Sequence, residues 1–384
     1  MASHPAVLLT VLLFCTYGVK VSWSQYHNST ALSIQIDTLF AEYDREVPPP
    51  SSGALEVHVT LNVNHANIDQ EQSVMRLLAD LHLVWVDKRL RWNQTEWGCD
   101  YAITAAERLW LPDIVLMNAA ATGVSTAPSD VGLRARLNYD GAITWAMRLD
   151  LTAPLELQLY DWPEDTQSCI FRFAPRSYSS DQIELKVIEA QSAVVFESGT
   201  WEIQTINGDT LKWDRGEEET SVALWMIAVK RRAPAHALAA NTVLIASALV
   251  LAAAISLPPD QRHALAACAS FIATLWMITA LLRLPGAHTC PRVLSLMCAM
   301  CICGALCSAC AAFVRRVANC PVPPPRLLRG LLSSLSTICR LTPSPEACTS
   351  SESGAWAAAS VLADRTLCGA LLLTLLVLLA VQLL

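Results

Sequence analysis

Leu55-Glu56-Val57-His58-Val59-Thr60-Leu61-Asn62-Val63 alternates apolar and polar side chains without a break. A period of two places every apolar residue on one face of an extended chain, the mark of a strand with one side buried. Leu81-His82-Leu83-Val84-Trp85-Val86, Leu155-Glu156-Leu157-Gln158-Leu159 and Ile183-Glu184-Leu185-Lys186-Val187 repeat the pattern. Within Tyr139-Asp140-Gly141-Ala142 the Asp-Gly pair supplies a tight hairpin turn. No helical period intervenes, so residues 25–233 read as an all-β sandwich; a β-barrel or mixed domain fits the same pattern.

Beyond residue 233 the chain changes character. Four apolar stretches, about 236–257, 264–284, 291–314 and 366–384, each approach the roughly 20 residues a helix needs to cross hydrocarbon. The whole chain is 53% hydrophobic and 16% charged, where soluble domains carry about a quarter charged residues. Residues 1–234 have a net charge of −12 and residues 235–384 one of +5. This composition excludes disordered and collagen-like chains, and the acidic balance without a basic tract argues against nucleic acid as a partner. The fold class expected is an extracellular all-β sandwich plus a four-helix transmembrane bundle, the latter over 234–384.

Residues 1–24 hold a short apolar run, Ala6 to Phe14, that suits a cleaved signal peptide and is too short to span a bilayer. Asn28-Ser29-Thr30 and Asn93-Gln94-Thr95 are N-glycosylation sequons, at home on a lumenal segment. Four crossings after a cleaved leader leave both termini extracellular. Arg315, Arg316, Arg326, Arg329 and Arg340 then mark 315–355 as a cytoplasmic loop. Lys230-Arg231-Arg232 runs against that charge rule, which a prefolded, signal-led domain overrides. The third span carries Cys298, Cys301, Cys303, Cys307 and Cys310 on a continuous apolar helix without His or carboxylate, so packing is preferred to metal binding. No nucleophile triad, phosphate loop or H-E-x-x-H motif occurs, and the sequence calls for neither enzyme chemistry nor a cofactor.

Trp85-Val86-Asp87-Lys88-Arg89-Leu90-Arg91-Trp92-Asn93, Trp110-Leu111-Pro112-Asp113-Ile114-Val115-Leu116 and Phe196-Glu197-Ser198-Gly199-Thr200-Trp201-Glu202-Ile203 stand in collinear order, with Trp356, Ala359 and Asp364-Arg365 further on. They resemble, in turn, the W-x-D-x-x-L-x-W, W-x-P-D-x-x-L, pre-loop-C and fourth-helix segments of the Cys-loop pentameric ligand-gated ion channels, nicotinic acetylcholine receptor subunits above all. The resemblance covers roughly residues 55–384. It implies a plasma-membrane, multi-pass subunit in a postsynaptic setting. Its partners would be other channel subunits in a hetero-pentamer, permeating ions, membrane lipid and an extracellular small molecule of unknown identity. The tryptophans themselves serve mainly as core anchors.

The chain also departs from that family. Trp162-Pro163-Glu164-Asp165-Thr166-Gln167-Ser168-Cys169 resembles the second half of the signature loop, yet the position fourteen before Cys169 is Leu155. The position ten after Trp145 is Leu155 as well, so no gap hides a first cysteine. The signature disulfide is lost, and with it roughly 3 kcal/mol of loop-closure stabilisation. Cys99 is the other cysteine of the mature ectodomain. A Cys99–Cys169 bond, two free thiols and an intersubunit bond are the alternatives.

Carried over residue by residue, the loop A tyrosine of the family falls on Met117, the loop B tryptophan on Arg176 and the complementary-face tryptophan on Asp80. Tyr178 survives near loop B, and no vicinal cysteine pair lies between Thr205 and Thr220. Aromatic faces stabilise a desolvated quaternary ammonium; a cation at Arg176 repels one. Arg176 is a solvated or salt-bridged residue, or else a contact for an anionic or amphipathic ligand. By the same resemblance Pro163, Asp165 and Arg232 form the gating and coupling set at the membrane edge. Helical spacing on the second span gives a pore-lining stripe of His263, Ser270, Thr274, Met277 and Leu281. The sequence thus reads as a divergent accessory subunit of a ligand-gated ion channel lacking the acetylcholine aromatic box. A non-conducting, membrane-anchored assembly modulator or binding module is the alternative.

Overall fold

The computed structural model describes residues 32–120, 134–188, 199–214, 216, 218–286, 289–320 and 353–383. The expected leader 1–24, the sequon at Asn28 and most of the 315–355 loop lie outside the described residues. The chain divides into two compact units, Met1–Leu155 with Ser168–Val229, and Glu156–Gln167 with Lys230–Leu384.

The first unit is a β-sandwich. One sheet holds β1 (Leu55–Asp69), β2 (Val74–Val86), β3 (Tyr101–Ala105), β5 (Arg134–Asn138), β6 (Ala142–Pro154) and β8 (Ile183–Val187), in the order β3-β5-β6-β2-β1-β8. The other holds β4 (Ile114–Leu116), β7 (Thr166–Pro175), β9 (Trp201–Asp214) and β10 (Glu219–Arg231), in the order β4-β7-β10-β9. The alternation quoted first decides which face of β1 is buried: Leu55, Val57, Val59, Leu61 and Val63 all lie in the core. Trp85, Phe171, Phe173 and Trp225 fill the space between sheets, with Phe173 edge-on to Trp225 at 5.4 Å.

The expected hairpin joins β5 to β6. Gly141 takes φ 84°, the left-handed region, and a Cβ there would lie 2.4 Å from the Asp87 carbonyl oxygen, so the turn requires glycine. Residues 155–159 differ from expectation. They keep the alternation, with Leu155, Leu157 and Leu159 buried, yet form no ladder strand. Side chains supply the bonds instead: the Gln158 N–H donates to Gln167 Oε1 at 3.0 Å and the Leu159 N–H to Thr289 Oγ1 at 2.8 Å. Both bonds lie within the second unit.

That unit contains four long helices, α1 (Pro234–Ser256), α2 (Arg262–Leu281), α3 (Arg292–Ala318) and α4 (Ser353–Leu383). Each has a window long and apolar enough to cross a membrane. The first three overlap the spans expected from sequence, α1 and α2 each starting two residues early and ending one and three residues short, and α3 running from Arg292 past 314 to Ala318; α4 starts 13 residues before the expected 366. The α2 helix packs on α1 and α3, and α4 packs on α3 and α1. Small residues at the α2 seams (Ala266, Ala269, Ala273) allow close backbone approach.

Candidate functional site

Asp80 sits on β2 directly opposite Arg148 on β6. Arg148 Nε donates to Asp80 Oδ1 at 2.9 Å and Asn64 Nδ2 to Oδ2 at 2.8 Å. Asn64 lies where the β1–β2 register shifts, between Val63 and His65, which lets its amide reach across. The hydrogen bond from Arg148 leads the effects holding the Asp80 carboxyl below the usual carboxylate range. Asp80 thus belongs to a cross-strand ion pair.

Met117, Arg176 and Tyr178 flank the short β4–β7 ladder of the other sheet. The Met117 N–H donates to Arg172 O at 2.8 Å and the Arg176 N–H to Asp113 O at 3.1 Å. Asp113 Oδ2 accepts the Ser177 N–H at 2.8 Å, fixing the turn that carries Arg176. The Arg176 side chain is exposed, and its guanidinium makes no ion pair among the described residues. Tyr178 packs edge-on to Trp110 at 6.1 Å, and Trp110 edge-on to Trp85 at 6.2 Å. Asp80, on the opposite sheet, does not join this group.

One network here carried no sequence signal. Tyr43, 44 residues before Asp87, donates its hydroxyl to Asp87 Oδ2 at 3.0 Å and accepts the Trp110 N–H at 3.0 Å. Arg89 donates to the fully buried Asp87 at 2.7 Å and lies 4.5 Å over the Tyr43 ring. Burial, chiefly, pushes the Tyr43 phenol up to about 12.

Cys99 and Cys169 are both free thiols, with no bond between them. Cys169 is buried and its Sγ lies 3.5 Å from Pro154 O, beside Leu155, where the absent cysteine was counted. Burial raises the Cys169 thiol to about 11. Asn93 is exposed and caps the helical turn Gln94–Trp97, accepting the Thr95 N–H at 3.1 Å.

The coupling pair requires a correction. Asp165, 1% exposed, meets Arg231, not Arg232: Arg231 Nε donates to Oδ1 at 2.6 Å, its Nη2 to Oδ2 at 3.0 Å and its backbone N–H to Asp165 O at 3.0 Å. Residues 227, 229 and 231 share one face of β10, and Ile227 and Val229 are buried; position 232 falls on the other phase. Gln167 Nε2 adds a bond to Asp165 at 2.7 Å. Pro163 is buried beside them, after a cis Trp162–Pro163 peptide.

The residues of the expected pore stripe have partners within the chain. Ser270, Thr274 and Met277 face α3: Ser270 Oγ donates to Cys301 O at 3.4 Å, Thr274 Oγ1 lies 3.3 Å from Cys301 Sγ, and Met277 Sδ 3.3 Å from Cys298 Sγ. A Cβ on Gly304 would meet Ser270 Oγ at 2.1 Å, so the two helices touch there. His263 is half-buried, and Leu281 alone of the stripe is exposed. The open face of α2 carries Cys268, Phe271, Leu275, Ile278 and Leu282, with Phe271 68% exposed. Arg262, at the start of α2, is buried inside the bundle and donates to Asp364 of α4 at 2.7 Å.

A two-sheet sandwich of this strand order followed by four membrane-length helices defines the architecture of a ligand-binding domain on a channel-type bundle. The family model for the neurotransmitter-gated ion-channel ligand binding domain matches residues 33–227. The chain belongs to the neurotransmitter-gated ion channels of the Cys-loop type and is a divergent nicotinic-like member. It is 32% identical over 176 residues to neuronal acetylcholine receptor subunit alpha-6 of Mus musculus, covering 44% of this chain and 35% of the relative. Subunit alpha-3 of Homo sapiens is 26% identical over 207 residues, 52% and 39% of the two chains, and subunit beta-3 of Gallus gallus 27% over 208, 53% and 44%. The chain spans less than half the length of these curated relatives.

Proposed function

We propose that the chain is an accessory subunit of a nicotinic-type ligand-gated ion channel, assembling with other subunits into a hetero-pentamer and contributing no acetylcholine box. Residues 1–24 are then a signal peptide, 25–233 the extracellular ligand-binding-type domain and 234–384 the membrane domain, in the plasma membrane with both termini outside. Asn28 and Asn93 carry its glycans. The observation that carries this reading is the exposed guanidinium of Arg176, without an ion pair among the described residues, where the family places a tryptophan. A unit charge about 6 Å from an ammonium costs about 3 kcal/mol at an effective dielectric of 20. Met117 and the Asp80–Arg148 pair remove two further ring faces. The Asp165–Arg231 pair, with Pro163, supports retained coupling, because a buried bidentate ion pair holds one arrangement and resists intermediate ones.

In a ring of five chains the open face of α2 is the one available to an axis, so Phe271, Leu275, Ile278 and Leu282 replace the expected stripe as pore-facing candidates. They bring no charge, and Thr279 on the same exposed face adds a single hydroxyl. A face this apolar favours the second reading, a non-conducting assembly modulator. Voltage-clamp recording decides between them. Expressed alone, the chain should give no acetylcholine current; expressed with an acetylcholine-competent nicotinic alpha subunit, it should change the conductance of single channels. An acetylcholine current from the chain alone contradicts the missing box. Unchanged conductance alongside altered surface numbers selects the modulator.

A further inference from the structure

Met277 of α2 and Cys298 of α3 meet sulfur to sulfur, Met277 Sδ lying 3.3 Å from Cys298 Sγ. One turn further along the same seam, Cys301 Sγ lies 3.3 Å from Thr274 Oγ1. Residues three apart on a helix are neighbours on one face, so Cys298 and Cys301 bring two thiols to the side of α3 that holds the thioether. All three side chains are half-buried. Cys303 and Cys307 differ: both are buried in the apolar core of the bundle, and packing accounts for them.

We propose that Met277, Cys298 and Cys301 form a binding site for one soft monovalent metal ion, Cu(I), that ties α2 to α3. Softness selects the ion, because thiol and thioether donors prefer Cu(I) to harder cations. Zn²⁺ takes four nitrogen, oxygen or thiolate donors, and among the described residues no group of three His, Cys, Asp or Glu is placed to hold an ion. Charge makes the same choice. Both helices are long and apolar enough to cross a membrane, and a net charge inside hydrocarbon is costly. One Cu⁺ on one thiolate is neutral, and a thioether and a second thiol add no charge.

The seam assigns the thiolate to Cys298. Thr274 Oγ1 donates to Ser270 O at 2.7 Å, so its contact with Cys301 uses the hydrogen of the Cys301 thiol, which stays protonated. On binding, the S–H bond of Cys298 breaks, the S–Cu bond forms and the proton leaves to solvent. Copper arrives as Cu(I), and no electron moves. Two sulfurs held about 2.3 Å from one ion in trigonal geometry stand about 4 Å apart. The 3.3 Å pair therefore opens by less than about 1 Å to admit the ion, within reach of side-chain rotation. The site is independent of conduction, and its failure leaves the channel reading standing.

The full chain, purified in detergent under ascorbate, is titrated with Cu(I) against the chromophoric chelator bicinchoninate. One equivalent should resist the chelator and show a sulfur-only shell in the copper X-ray absorption spectrum. Cys298→Ser should weaken that equivalent by more than about a hundredfold and Met277→Leu by about tenfold, since even residues that only support a metal ligand are worth about 10–100-fold. Cys268→Ser, on the open face of α2, should change neither. Copper should also shield Cys298 of the unsubstituted protein from N-ethylmaleimide, read by mass spectrometry, a measurement that stands should a variant not fold. Zn²⁺ at the same concentration should not shield it. An equivalent retained unweakened in Cys298→Ser, copper bound through nitrogen or oxygen, or alkylation of Cys298 indifferent to copper overturns the proposal. So does equal shielding by Zn²⁺.

Discussion

Arg231 reaches Asp165 because alternate residues of β10 share a face, and the neighbouring Arg232 does not meet that carboxylate. A double-mutant cycle on Asp165→Asn with Arg231→Gln should give a coupling of about 2–3 kcal/mol, against under about 0.5 kcal/mol with Arg232→Gln, measured by thermal unfolding in detergent. The family offset pointed to Arg232; the strand phase of β10 adds Arg231 to that cluster. Two titrations belong at this scale. The Tyr43 phenol, held near 12 against an ordinary 10, stabilises the fold below pH 10 and loses that contribution as pH rises from 10 through 12. Tyr43→Phe should therefore flatten the alkaline fall in Tm while lowering Tm at pH 8. Cys169, at about 11 against 9, has about a hundredfold less thiolate at pH 8 than an ordinary thiol. Maleimide labelling of the native protein should spare it until denaturant is added.

Single elements show where sequence patterns inform and where they stop. β1, β8 and the Asp140-Gly141 turn were legible because period and turn chemistry are local properties. The 155–159 segment alternates like a strand but takes its hydrogen bonds from Gln167 and Thr289, which no local pattern records. The rotation of α2 was not legible either, because apolar side chains surround the helix and hydroxyls looked like pore lining. Within hydrocarbon, hydroxyls and small residues gather at helix seams, where partners lie within reach; Ser270 and Thr274 accordingly face Cys301. Gly304→Val should expel Ser270 from that seam and lower Tm by several degrees. Cys169 Sγ meets the carbonyl of Pro154, the residue preceding Leu155. Leu155→Cys should restore the lost bond and raise stability by about 3 kcal/mol, a gain abolished by reductant. Free thiols persisting in that variant would show the loop has drifted from its ancestral geometry.

At the scale of the whole molecule, the acidic, cysteine-poor first half and the apolar, cysteine-rich second half correspond to two compact units. The division falls otherwise than by sequence alone, since residues 156–167 group with the helices. Met117, Arg176 and Asp80 are singled out by counting from the surrounding motifs, which run without gaps. Their surroundings were not legible in the sequence: Asp80 is paired by neighbouring strands of its own sheet, a contact between residues 68 apart in sequence. The central claim, that this chain enters a channel ring without an acetylcholine box, is tested most directly by thiol modification of Phe271→Cys co-expressed with an acetylcholine-competent nicotinic alpha subunit. The account predicts acetylcholine currents that a water-soluble methanethiosulfonate blocks progressively during channel opening, with Ser270→Cys insensitive. Currents indifferent to the reagent at position 271, or blocked through position 270 instead, would contradict it.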